Sequence, residues 1–249
     1  MTLGRSSQEK AEDASPDGRA SRLEASTEGF SATLLGCCDD QRKGDAMKYP
    51  ATKIAGSLLF VGAAQFMMGM LVAEALYPGY SVSQNYISDL GATCNGSCTI
   101  VQPSSTIFNL SVIGLGVLGI VGAYFIWSGF RSVSVSSLFA VAAIGAMGVG
   151  LFPETTGIYH SVFSLITFLF AGASAIASSR LQRAPLSYFS VLLGGLTFVA
   201  LALFMSRNYL GLGPGGMERM IVYPVLIWLL GFGGLLIAHP IETSKRSAV

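Results

Sequence analysis

Six stretches of the chain are apolar over the length that a bilayer demands, and this constrains its folding more than any other feature. A hydrocarbon core about 30 Å thick is crossed by about 20 residues of helix at 1.5 Å per residue. Segments 54–77, 106–130, 133–152, 158–178, 186–204 and 220–238 meet that length. Lipid offers no partners to backbone N–H and C=O groups, so each run must satisfy them internally as a helix. The expected fold class is all-α, a polytopic membrane protein with a six-transmembrane-helix bundle. Composition agrees: 12% of the 249 residues are charged, about half the share in a soluble domain.

The charges divide the chain into two parts. Residues 1–46 hold 6 Lys/Arg and 9 Asp/Glu, whereas residues 47–249 hold 9 and 5. The first part has too few apolar residues to build a core, and it reads as a disordered polar tail or as an extension upstream of a start at Met47. It lacks the apolar centre of a secretory signal. The second part, 47–249, is the membrane domain. Lys48, Lys53, Arg131, Arg180, Arg183, Lys245 and Arg246 flank one side of the spans, and Arg207 and Arg219 the other. The positive-inside rule makes the first side cytoplasmic. Both N- and C-termini are then inside, loops 78–105, 153–157 and 205–219 are outside, and the protein is expected to be multi-pass in the cell membrane.

With that orientation the unusual polar side chains collect at the outer end. Asn85, Ser88 and Asp89 lie in the first outer loop, Asn109 early in the second span, Glu154 and His160 at the third-to-fourth turn, and Glu218 and Arg219 in the last outer loop. Spans two, four and six start there, so their positive dipole ends favour an anion or the local carboxylates. Ser104 or Ser105, and Thr155 or Thr156, are natural helix caps. Two readings follow for the charged groups. Either Asp89, Glu154, His160 and Arg219 line an outward crevice for a polar headgroup or ion, or Asp89 and Arg219 pair and tie the first outer loop to the sixth span. Asp89, Glu154 and His160 are metal-ligand types, but no ligand-pair spacing accompanies them, so no metal and no other cofactor is expected.

Small residues recur at four-residue spacing at Ala142, Ala146 and Gly150, and at Ala171, Ala175 and Ser179. Such stripes let backbones approach closely and offer a face for a homo-oligomer. Cys94 and Cys98 would form a disulfide in an oxidising exterior or remain two free thiols. Residues 95–97, "NGS", match the short and frequent glycosylation-acceptor pattern, and Cys37 and Cys38 imply nothing definite, although paired cysteines near a membrane can be acylated in some cells. The "GLGPGG" run at 211–216 reads as a flexible loop. No phosphate loop, dinucleotide fingerprint, serine nucleophile elbow or nucleic-acid module is present, so nucleic acid is not an expected partner.

Four motifs carry a resemblance: "YISDLG" after the first span, "IFN" opening the second, "LFPETTGIYHSV" joining the third and fourth, and "GGMERMIVYPVLIWLL" entering the sixth. Together they resemble the integral-membrane domain-of-unknown-function family number 998, found mainly in archaea and bacteria, over nearly all of residues 50–240. "NYISDLG" is also similar to a loop of the Frag/DRAM/Sfk membrane proteins, six-span proteins linked with lipid remodelling. The first resemblance implies six helices without an assigned reaction, and a shared polar signature falling here on Ser88, Asp89, Asn109, His160, Glu218 and Arg219. The stretch from Cys94 to Cys98 departs from that pattern.

Three functions fit the sequence. A lipid-binding protein would hold an anionic headgroup between Arg219, the helix N-termini and Asn85 or Asn109, with membrane lipids as partners. A membrane-embedded hydrolase or transferase acting on lipid would use Asp89 or His160 as general base and Arg219 to stabilise charge. A small-solute or ion transporter needs polar groups near the bilayer midplane, where the spans carry only Ser, Thr and Gln65.

Overall fold

The computed structural model describes residues 51–95 and 97–238. The tail expected over residues 1–46 lies outside the described residues, as do Lys48, Lys245, Arg246, Cys37 and Cys38. Six helices are long and apolar enough to cross a membrane: α1 (Ala51–Ala75), α2 (Ser104–Phe130), α3 (Val133–Leu151), α4 (Ile158–Ser178), α5 (Leu186–Met205) and α6 (Gly213–Ala238). A two-stranded antiparallel hairpin in the α1–α2 loop, β1 (Thr93–Asn95) and β2 (Ser97–Thr99), is the only strand pair among the described residues, and it leaves the all-α class intact.

Each helix packs on its neighbours in sequence, and the ring closes. Gln65 Nε2 of α1 donates to the Ser111 carbonyl of α2 at 2.8 Å. On α3, Gly150 has the Asn109 carbonyl of α2 so near that a Cβ would stand 2.7 Å from it. Phe152, just past α3, stacks on Phe163 of α4 with centroids 5.2 Å apart. Gly194 of α5 lies against the Gly172 carbonyl of α4. Thr197 Oγ1 of α5 donates to the Ile221 carbonyl of α6 at 3.2 Å. Gly56 closes the circle, since a Cβ there would meet the Gly233 carbonyl of α6 at 2.6 Å. Both small-residue stripes serve this packing: Ala142, Ala146 and Ala171 face the interior of the ring, and Ala175 is fully buried.

Around the outside, large apolar side chains such as Met68, Leu110, Leu192 and Phe189 are exposed. This is the pattern of a lipid-facing surface, where apolar groups gain nothing by being covered. Inside, one end of the ring is filled by Phe139, Trp228 and Phe232, the last two stacked at 5.7 Å. Trp228 Nε1–H donates to Ser178 Oγ at 3.2 Å, so the buried indole nitrogen is satisfied. The opposite end carries the α1–α2 loop and is called the loop end below.

Two sequence expectations are corrected. The "GPGG" run is not a flexible loop: α6 begins at Gly213, with proline second, and so takes in Glu218 and Arg219. Proline suits the first helical turn because its missing N–H is not needed there. The free N–H groups of Gly215 and Gly216 donate to the Ser83 carbonyl at 3.0 and 3.4 Å. The α1–α2 loop thus caps α6 through its backbone. Nor do Ser104, Ser105, Thr155 or Thr156 cap their helices by side chain. Ser105 Oγ donates to the Gly91 carbonyl, fastening the loop to α2, and Thr156 Oγ1 donates to the Pro153 carbonyl.

Candidate functional site

The loop end holds two polar clusters that share one residue, Asn85. The first surrounds Arg219, which is 4% exposed. Its Nη2 pairs with Glu74 Oε1 in the last turn of α1 and donates to the Tyr80 hydroxyl at 2.8 Å. Its Nη1 donates to the carbonyls of Val82, Gly215 and Asn85 at 2.9, 3.0 and 3.3 Å. Only Nε is buried without a partner. The expected Asp89–Arg219 pair is not formed. Glu74 takes that place because the last turn of α1 and the first turns of α6 lie together, with the loop backbone between them. The Tyr80 hydroxyl also donates to the Tyr86 carbonyl at 2.7 Å, and burial pushes its titration far above the ordinary tyrosine value despite the adjacent guanidinium.

Asn85 joins this cluster to the second. Its carbonyl accepts from Arg219, its Oδ1 accepts the Ser81 N–H at 3.0 Å, and its Nδ2 donates to Asp89 Oδ2 at 3.0 Å. The same Asp89 oxygen accepts the Tyr86 N–H at 2.8 Å. Asp89 therefore folds its own loop, and it is buried. Burial raises its pKa above the usual carboxylate range, against the hydrogen bonds from Asn85 and Tyr86.

The second cluster gathers three carboxylates around the 3-10 turn Ser88–Leu90. Glu218 Oε2 accepts the Ile87 N–H. Glu154 Oε1 accepts the Ser88 hydroxyl at 2.6 Å, and its Oε2 accepts the Cys94 N–H at 3.3 Å. Asp89 is the third acid. Burial raises the Glu154 pKa, the Ser88 hydrogen bond opposes this, and the Asp89 charge adds to it. Cys94 and Cys98 are joined by a disulfide that closes the β1–β2 hairpin beside Glu154.

Asn109 and His160 stand at the edges of this cluster. Asn109 Nδ2 donates to Ser105 Oγ at 3.3 Å, while its Oδ1 is buried beneath Gly91 with no partner. His160 Nδ1–H donates to the Phe152 carbonyl at 2.8 Å, and the Ser164 hydroxyl reaches Nε2 at 3.4 Å. Among the described residues no group of three or more His, Cys, Asp or Glu is disposed to hold a metal ion.

Beneath the second cluster the helices line a partly open cavity of about 120 Å³, roughly ten times the space that one water needs. Side chains of α1, α2, α3, α4 and α6 line it, and nearly all are apolar, among them Phe66, Phe108, Ala146 and Leu226. Thr167 and Ser174 also face it, but their hydroxyls donate to the carbonyls one turn back, Phe163 and Phe170. Its ionisable lining residue is Glu218, which is 7% exposed, and Ser88 lies near it. Along α6 the lining runs from Glu218 to Leu229, about 16 Å of helix.

The residues picked out from the sequence lie at one end of the bundle, but in groups other than a single crevice or an Asp89–Arg219 pair. Ser88, Asp89, Glu154 and Glu218 come together, Arg219 is sequestered with Glu74, and Asn85 bridges the two groups. Tyr80 carried no signal in the sequence, whereas Glu74, the one acid within the first span, did. The cavity left no signal, because its apolar lining is indistinguishable in sequence from packed core.

The family model described as a protein of unknown function (DUF998) matches residues 60–234, which include both polar clusters. No curated protein and no solved structure matches the chain.

Proposed function

We start from the fact that the chain belongs to the DUF998 family of proteins of unknown function, and we propose that it is an integral membrane protein that takes one apolar chain of a lipid-like molecule into its own helix bundle. The observation that carries this reading is the elongated apolar cavity with one polar end. An apolar void stays dry, and the side chains around it forgo dispersion contacts. A methylene chain restores those contacts, and the surrounding bilayer supplies such chains in abundance. We place the loop end on the outer side of the cell membrane, in keeping with Arg131, Arg180 and Arg183 at the other end.

The geometry favours this reading over the two others. Arg219 offers no free Nη–H to an anionic headgroup or a transition state, because both nitrogens are committed to Glu74, Tyr80 and carbonyls. Asp89 already accepts from Asn85 and Tyr86, which removes it as a ready general base. Gln65, the polar side chain near the middle of α1, donates to the Gly62 and Ser111 carbonyls and offers no relay for a transported solute.

Native mass spectrometry of the purified full chain tests the proposal. Wild-type protein should retain about one single-chain or multi-chain amphiphile per copy. Ala146→Phe, which fills the middle of the cavity, should lose it while remaining folded and monodisperse. An empty wild type, or equal retention by Ala146→Phe and a second filling variant, Ala142→Met, would overturn the reading.

A further inference from the structure

We propose that the cavity selects a single-chain amphiphile with a protonated amine head, which the Glu218 carboxylate receives while the tail extends toward Trp228. This inference rests on the reading above and specifies its ligand. Glu218 is more than nine-tenths buried and lines the cavity. Its Oε2 accepts the Ile87 N–H. A carboxylate drawn out of water is costly unless a cation or a donor reaches it.

The acids nearest Glu218 set the sign of what can arrive. Glu154 and Asp89 add two further acids on the α1–α2 loop side, close enough to act electrostatically on Glu218. Arg219, next to Glu218 in sequence, acts on it more strongly than either acid does, but its guanidinium forks are bound to Glu74, Tyr80 and three carbonyls. His160 is held by Phe152 and Ser164 on the far side of Glu154. An anionic head at Glu218 would therefore meet three acids with the Arg219 guanidinium already engaged, and like charges in a desolvated site repel strongly. An ammonium would donate to Glu218 Oε1 and offset the local charge. From Glu218 to Trp228 α6 rises about 15 Å, about the reach of a dodecyl tail, and the Phe139–Trp228–Phe232 cluster stops the far end.

The test uses the full chain in phosphatidylcholine nanodiscs, with dodecylamine, dodecanol and dodecyl phosphate as probes at equal concentration. Specific binding is the difference between wild type and Ala146→Phe, which removes simple partition into the bilayer. The wild type should bind dodecylamine at least about tenfold more tightly than dodecyl phosphate, a modest fraction of the expected like-charge penalty. Glu218→Gln, which keeps an acceptor for the Ile87 N–H, should bring the two within about twofold while dodecanol still binds. If dodecyl phosphate binds the wild type as well as the amine does, or if Glu218→Gln leaves the preference intact, amine selection is wrong and chain accommodation stands. If no probe distinguishes wild type from Ala146→Phe, chain accommodation itself fails.

Discussion

Arg219 shows how a charged residue at a membrane edge can be read correctly as important and wrongly as available. Its sequence position, against the positive-inside trend, marks it as unusual. Its partner could not be read from spacing, because Glu74 lies 145 positions away and meets it only once α1 and α6 are adjacent. Arg219 is buried and Glu74 largely so, with Tyr80 and three carbonyls completing the shell. Removing one partner of such a pair leaves an uncompensated charge, at about 3–5 kcal/mol. Glu74→Gln keeps an oxygen acceptor for Nη2 but not the charge, so it isolates this effect. It should lower the thermal unfolding midpoint in detergent well below that of the wild type, whereas Glu218→Gln should leave the midpoint close to it. An unchanged midpoint for Glu74→Gln would mean that the carbonyl cage alone carries the guanidinium.

The helices themselves were largely legible, because span length and lipid's lack of hydrogen-bond partners leave few alternatives. Five of them begin and end within a few residues of their apolar runs. The start of α6 was not legible: its first turns are rich in glycine, which in isolation disfavours helix. What the residues alone do not reveal is that the α1–α2 loop supplies the missing order. Ser83 caps Gly215 and Gly216, and the Asn85 carbonyl lies where a Gly215 Cβ would stand, only 1.9 Å from it. The glycine is thus required for close approach and does not signal flexibility. Gly215→Val should push the loop off α6, lower the unfolding midpoint and expose residues 78–90 to proteolysis. Gly231→Ala, where nothing lies within 4 Å of the added carbon, should do neither. Equal protease resistance in the two variants would show that the loop does not depend on this contact.

At the scale of the whole molecule, the buried Arg219–Glu74 pair changes the orientation argument. A guanidinium enclosed by protein does not report on which side of a membrane it lies, since the positive-inside bias concerns loop charges. Setting Arg219 aside leaves Arg207 as the one basic residue at the loop end among the described residues, against Lys53, Arg131, Arg180 and Arg183 at the other. The bias toward an outward loop end becomes stronger, and the disulfide in the β1–β2 hairpin points the same way, because such bonds persist in oxidising surroundings. The cysteines provide a direct check. In a variant with Cys37→Ser and Cys38→Ser, Cys94 and Cys98 are the remaining thiols. An impermeant reductant followed by an impermeant maleimide should label them in intact cells, and omitting the reductant should abolish labelling. Labelling only after permeabilisation would reverse the orientation and turn the polar mouth of the cavity toward the cytoplasm. Labelling without reductant would show that the bond does not form in the cell, leaving the hairpin beside Glu154 without its covalent closure.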